Sequence, residues 1–242
     1  MKISYKHFLE FPGWTKMPSF ILQIIKENNV KKILEIGSGA NPALDVNTVR
    51  ELKLDFTTSD VDENELKKAD DIYKKLMLDL SKRKINTVDK YDLIFSRMVG
   101  EHISNGEIFH KNIYKLLNPK GLSVHCFSTL YAFPFVLNRF MPEGLSNMLL
   151  NRFAPRDEEK HGKFKVYYRW SRGPSKKMIE KFKEIGFEII EYNGYFGHNY
   201  YKKIIPLHKL EQLKARWLVK HPVPSLTGYA CVILRKRNIF EL

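Results

Sequence analysis

Lys32-Ile33-Leu34-Glu35-Ile36-Gly37-Ser38-Gly39-Ala40-Asn41-Pro42 is the stretch on which the reading of this chain turns. A short apolar run that breaks at Gly37 has the form of a buried strand and its exit loop. Glycine lets that loop turn tightly and lets the backbone approach a ligand without a side-chain clash. Outward from it, further strands are expected at Phe56 to Ser59, Leu76 to Leu78, Asp92 to Ser96, Leu122 to Phe127, Phe187 to Tyr192 and Gly228 to Arg235. Helices are expected between most of them. Lys16 to Asn28 carries Phe20, Ile21, Ile24 and Ile25 at helical spacing behind Pro18. Phe109, Ile113, Leu116 and Leu117 mark a second helix, stopped at Asn118-Pro119-Lys120-Gly121. Pro174 opens a third, with Met178, Phe182 and Ile185 on one face and Gly186 at its stop. The last runs through Leu207, Leu210, Leu213 and Trp217. Strands that alternate with helices imply a parallel sheet covered on both faces, because each parallel connection must cross over and return.

In such a sheet the ligand sits beyond the carboxyl ends of the strands, so the residues after each strand carry the chemistry. After the first come Gly37, Ser38 and Gly39. After the second comes Ser59-Asp60-Val61-Asp62, whose first carboxylate can accept hydrogen bonds from a ribose diol. Leu78-Asp79-Leu80 follows the third and Ser96-Arg97-Met98-Val99-Gly100-Glu101-His102-Ile103 the fourth. A nicotinamide-binding fingerprint would place a third glycine at position 42, where this chain has Pro42.

On these residues the sequence resembles the class I S-adenosylmethionine-dependent methyltransferase family over roughly residues 30 to 130, and more loosely to the C-terminus. Glu35-x-Gly37-x-Gly39 matches the first family motif, Asp60 the second and Asp79 the third. Tyr91-Asp92-Leu93-Ile94-Phe95-Ser96 with Glu101-His102-Ile103 matches the fourth. Leu116-Leu117-Asn118-Pro119-Lys120-Gly121 resembles the turn before the family's fifth strand, with Lys120 where a glycine is common. The resemblance implies an α/β, Rossmann-like, mostly parallel sheet of seven strands with helices on both faces and the last strand antiparallel. It makes S-adenosyl-L-methionine the cofactor, held by Glu35, Gly37, Ser38, Gly39, Asp60, Asp79 and Arg97. In that arrangement Gly37 and Gly39 line its methionine part, Asp60 holds the ribose hydroxyls and Asp79 bonds the adenine amine. Methyl transfer is an in-line displacement that asks mainly for alignment, and an oxygen acceptor of high pKa also needs a general base. His102 and His198 both follow strands on the ligand edge and are the candidates. His125, in mid-strand, is expected to be a hydrogen-bonded core residue.

One domain is expected over 1–242, with a helical N-terminal segment at 1–30 and a lid inserted at 130–173. The insertion carries Arg156-Asp157-Glu158-Glu159-Lys160-His161 and then Phe164, Tyr167, Tyr168 and Trp170 among Lys163, Lys165, Arg169 and Arg172. Aromatic faces and cations in that mixture suit an acceptor carrying sugar rings or anionic groups, and the segment loosely resembles methyltransferases of bacterial cell-surface saccharides. The expected acceptor is a small molecule or glycan hydroxyl. The formal charge of +14 keeps RNA as the alternative acceptor and allows peripheral contact with an anionic membrane. No signal-like or bilayer-spanning run is read from the sequence, so the expected location is cytoplasmic. Cys126 and Cys231 are expected to be reduced core thiols, and no metal site is expected. The reading of a different class is a non-catalytic subunit that uses the same fold to bind a partner.

Overall fold

The computed structural model describes residues 1–130 and 165–237. Within them lies an eight-stranded sheet ordered β1-β7-β8-β6-β5-β2-β3-β4. Its strands are β1 (Lys2–His7), β2 (Lys32–Ile36), β3 (Asp55–Asp60), β4 (Lys74–Met77), β5 (Tyr91–Arg97), β6 (Leu117–Ser128), β7 (Phe187–Phe196) and β8 (Tyr229–Lys236). The helices are α1 (Met17–Asn28), α2 (Val46–Glu51), α3 (Glu63–Lys67), α4 (Gly106–Leu116), α5 (Lys176–Ile185) and α6 (Ile205–Lys220). Every neighbouring pair is parallel except those of β8, which runs antiparallel between β6 and β7.

The expected count of seven strands is corrected to eight, and the first residues of the expected N-terminal helical segment form β1 instead. β1 lies at the edge, parallel to β7, with Lys2 opposite Glu191 and His7 opposite Phe196. Its sequence, Lys-Ile-Ser-Tyr-Lys-His, has two apolar residues alternating with polar ones. An edge strand with one neighbour and a wet outer side needs no more than that, so no buried run announces it.

Alternation along the central strands splits the apolar residues between two layers. Ile33, Phe56, Leu93, Phe95 and Val124 face a core closed by Met17, Ile21, Ile24 and Ile25 of α1. Leu34, Ile94, Tyr192, Val232 and Leu234 face the other, closed by Phe109, Ile113 and Leu116 of α4 and Met178 and Phe182 of α5. Both α1 and α5 have local reasons to begin and end where they do. Pro18 stands in the first turn of α1, and Asn29 ends it in the left-handed region with its N–H on Ile25 O. Ser175 caps α5, so Pro174 sits just before the cap, and Gly186 closes the helix at φ 110°. Lys120, in the turn where the family commonly has glycine, adopts φ 63°, the conformation that explains that preference.

From β2 the chain moves outward through β3 and β4, then returns to the other side of β2 as β5 and continues to β6. The order therefore reverses between β2 and β5. A crevice opens there at the carboxyl ends, because the two following loops leave in opposite directions.

Candidate active site

Three loops meet at that reversal. Gly37 (φ 67°) and Gly39 (φ 47°) both lie in the left-handed region. The loop they form is tied to the next strand, with Gly37 N–H on Ser59 O at 2.7 Å and Ser38 N–H on the same oxygen at 3.1 Å. A Cβ at Gly37 would fall 2.6 Å from Val99 Cγ2 of the loop after β5. One at Gly39 would fall 3.0 Å from Glu65 Cβ and 3.1 Å from Asp60 Oδ2. The glycines thus bring the loops of β2, β3 and β5 into contact, a reason distinct from the ligand approach expected from sequence. Ser38 Oγ shares a 2.6 Å hydrogen bond with Thr58 Oγ1, which fixes the loop between the two glycines.

Beneath the loop lies Glu35, 1% exposed. Its Oε2 accepts the Ala43 N–H at 2.8 Å. Burial pushes its carboxyl up to about 7 from 4.5, against the lowering effect of that N–H and of the Arg97 guanidinium. Arg97 in turn donates from Nη2 to Asn41 O at 3.3 Å, and Tyr73 Oη donates to Leu44 O at 2.9 Å. The segment from Gly37 to Leu44 is therefore held from below and from the side.

Asp60 Oδ1 accepts the Val61 and Asp62 N–H groups at 2.8 and 3.1 Å, which leaves Oδ2 as the oxygen turned toward Gly39. Asp62 does a different job, capping α3 by accepting the Asn64 N–H at 2.8 Å. Asp79, beyond β4, uses Oδ1 on Ser81 N–H at 2.9 Å and Ser81 Oγ–H at 2.6 Å, with Lys82 Nζ 3.8 Å from Oδ2. Both carboxylates are braced through Oδ1, with Oδ2 turned toward Gly39 in Asp60 and toward Lys82 in Asp79. That pair of acceptors fits an adenosine, whose ribose diol and exocyclic amine donate hydrogen bonds to acceptor-only groups.

After β5 the backbone does something the sequence did not announce. Met98 takes φ 55° and donates its N–H to Cys126 O at 2.7 Å, which turns Val99 onto Gly37. A non-glycine residue in that region is strained, and strain of this kind gathers at functional loops. Glu101 is 3% exposed. Its Oε1 accepts the Ser128 hydroxyl at 2.8 Å, its backbone carbonyl accepts the Tyr167 and Tyr168 N–H groups, and burial raises its pKa. Among the described residues its Oε2 has no hydrogen-bond partner. No local signal in Glu101-His102-Ile103 would have separated this buried acid from a solvated one.

The two candidate histidines lie apart. His102 is partly exposed at the end of the β5 loop, with Nδ1 3.1 Å from Lys165 O. A carbonyl can only accept, so Nδ1 carries the proton and Nε2 is the basic nitrogen. His198 follows β7 and is 2% exposed beneath α6. Its Nε2 approaches Glu211 Oε1 to 3.5 Å without hydrogen-bond geometry. Burial, with Lys214 and His208 nearby, lowers its pKa to about 4, so it is neutral at physiological pH and this contact is no ion pair. His125 lies buried between Ser96 Oγ at 2.7 Å and Ser123 Oγ at 2.6 Å, with its pKa lowered by burial to about 3. It is the hydrogen-bonded core residue expected of it. Cys126 and Cys231 face each other across β6 and β8, both buried and free.

Of the insertion, Arg156 to His161, Lys163 and Phe164 lie outside the described residues. Its described end packs onto the domain. Trp170 stacks on His110 at 5.4 Å, lies under Lys181 Nζ at 4.7 Å and occupies the space a side chain at Gly106 would need. Tyr168 is buried, with φ 49°.

A glycine-closed loop at the switch point of a parallel sheet, with acids after the next two strands and no third glycine at position 42, defines a class I S-adenosylmethionine-dependent methyltransferase. A family model for a methyltransferase domain matches residues 5–192, and the chain belongs to that family; its cofactor is S-adenosylmethionine. No curated protein matches the sequence. The fold is shared with an S-adenosylmethionine-dependent methyltransferase from Clostridium acetobutylicum at 14% identity and a TM-score of 0.53, over 95% of this chain and 93% of that one. It is shared with phosphoethanolamine N-methyltransferase 2 of Haemonchus contortus, bound to phosphomonomethylethanolamine and S-adenosylhomocysteine, at 15% identity and 0.53, over 91% and 53%. The [4+2]-cyclase SpnF has it too, at 13% identity and 0.54, over 92% and 80%. A cyclase on this fold shows why the reaction must be argued from the site.

Proposed function

We propose that the chain O-methylates a small molecule or saccharide hydroxyl. The observation that supports this reading is the closure of the β2, β3 and β5 loops on one another through Gly37, Gly39 and Val99; Asp60, Arg97 and His102 lie on or beside these loops in sequence. Gly37, Ser38 and Gly39 would line the methionine part of the cofactor, Asp60 would hold the ribose hydroxyls and Asp79 would accept from the adenine amine. Glu35 and Arg97 hold the loop in shape. When bound, the cofactor supplies an electrophilic methyl group on a sulfonium. His102 Nε2 accepts the acceptor's hydroxyl proton as the oxygen attacks, while Lys165 O keeps the ring oriented through Nδ1. His198 would need α6 to move before it could meet an acceptor, so the reading gives the base role to His102.

The test is transfer of label from methyl-labelled cofactor into fractionated cell extract. Label in a saccharide or small-molecule fraction supports the reading, and His102→Gln should slow that transfer about a hundredfold while leaving cofactor affinity unchanged. Label confined to RNA would overturn the acceptor class. Absence of label from every fraction would overturn catalysis in favour of a partner-binding subunit.

A further inference from the structure

The outer face of α6 is built the wrong way round for a helix that only covers a sheet. Its buried residues are Glu211, Ala215 and Leu218, of which Ala215 and Leu218 pack on Phe196, with Tyr5 alongside. At 100° per residue, the opposite side carries Pro206, Leu210, Leu213 and Trp217. Leu210, Leu213 and Trp217 are 63%, 62% and 58% exposed, and Ile204, Ile205 and Leu207 near the start of the helix are exposed as well. Contiguous apolar patches of this kind are uncommon on monomers and mark contact surfaces.

The flanks say what the contact is. Lys209, Arg216 and Lys220 border the stripe on one side and Lys214 on the other, and all four are exposed. Glu211 is the only carboxylate between Ile205 and Lys220, and it is buried with Lys214 Nζ at 2.5 Å. Lys202 and Lys203 lead into the helix. An apolar stripe with tryptophan, bordered by cations alone on a chain of net charge +14, is complementary to an anionic lipid surface. A second copy packed on the same stripe would set these cations against themselves. With 16 residues, α6 is about 24 Å long, and no described helix is long and apolar enough to cross a membrane, so the helix lies in the interface plane.

We propose that α6 is a membrane-surface element, which seats the protein on anionic bilayers through Leu210, Leu213 and Trp217 with Lys209, Arg216 and Lys220 on the headgroups. A cavity of about 590 Å³ beside it gives the placement a use. Phe11, Tyr200 and Tyr229 line it, and Trp14, Lys16, Lys202 and Lys203 border it, so it opens next to the same lysines that lead into α6. This binding does not depend on the identity of the acceptor.

The experiment is flotation of the full chain with vesicles of phosphatidylcholine alone or with about one third phosphatidylglycerol, at low and high salt, alongside Trp fluorescence. Flotation with anionic vesicles only, lost at high salt, with a blue-shifted emission, is the expected result. A Leu210→Ser, Leu213→Ser double variant and a Lys209→Glu, Arg216→Glu, Lys220→Glu triple variant should each keep the wild-type unfolding midpoint and cofactor affinity. The triple variant should lose roughly a hundredfold in vesicle affinity. Equal flotation of wild type and both variants, or none at all, would overturn the proposal. So would a concentration-dependent dimer that the Leu210→Ser, Leu213→Ser variant dissolves, because the stripe would then belong to a second copy.

Discussion

Glu35→Gln should make the cofactor-free protein more stable at neutral pH and leave it unchanged in acid. Glu35 is 1% exposed and its carboxyl is raised from 4.5 to about 7, chiefly by burial. The native chain therefore holds this proton more tightly than the unfolded chain. Its contribution is complete below 4.5 and is lost as pH rises to about 7. That interval corresponds to roughly 3 kcal/mol. Glutamine has the same size and keeps an oxygen for the Ala43 N–H, but cannot ionise. The variant should match wild type near pH 4.5 and exceed it by up to about 3 kcal/mol at pH 8. Urea unfolding of both proteins from pH 4.5 to 8 at constant ionic strength measures the difference. His125 and His198, whose pKa values are lowered to about 3 and about 4, titrate in the opposite sense, since their neutral native forms lose stability as pH falls. Both proteins carry them, so they cancel in the comparison. A stability difference that does not change with pH, or one that favours wild type at pH 8, would refute the assignment of a buried, raised carboxyl. An acid that weakens the fold at neutral pH is the kind of local conflict that collects at working sites.

Gly37→Ala combines a left-handed φ of 67° with a Cβ 2.6 Å from Val99. It should cost about 2 kcal/mol of stability and more than tenfold in cofactor affinity; an unshifted thermal midpoint would show that the loops do not meet as described. Asp60→Asn keeps an acceptor for the Val61 and Asp62 N–H groups but removes the charge opposite the ribose. Calorimetry should find cofactor binding weaker by roughly ten- to a hundredfold with the fold intact, and undiminished affinity would remove Asp60 from the site.

What the sequence determined by itself was local. The run from Lys32 to Ile36 and its glycine exit, the proline near the start of α1, the glycine stop of α5, and the acids placed after successive strands are legible because each depends on residues a few positions apart. Their order along the chain then fixed a parallel sheet and the edge at which a ligand binds. Tertiary structure decided whatever depends on a distant neighbour. β1 exists because β7 offers it an edge, and Met98 is strained because Cys126 O and Gly37 hold its loop. Glu35 and Glu101 are acids like any other until the fold removes their water. The same holds for α6. Helical spacing shows a stripe of Leu210, Leu213 and Trp217, but periodicity is symmetric about the helix axis, and only the packing of Ala215 and Leu218 on Phe196 turns that stripe outward.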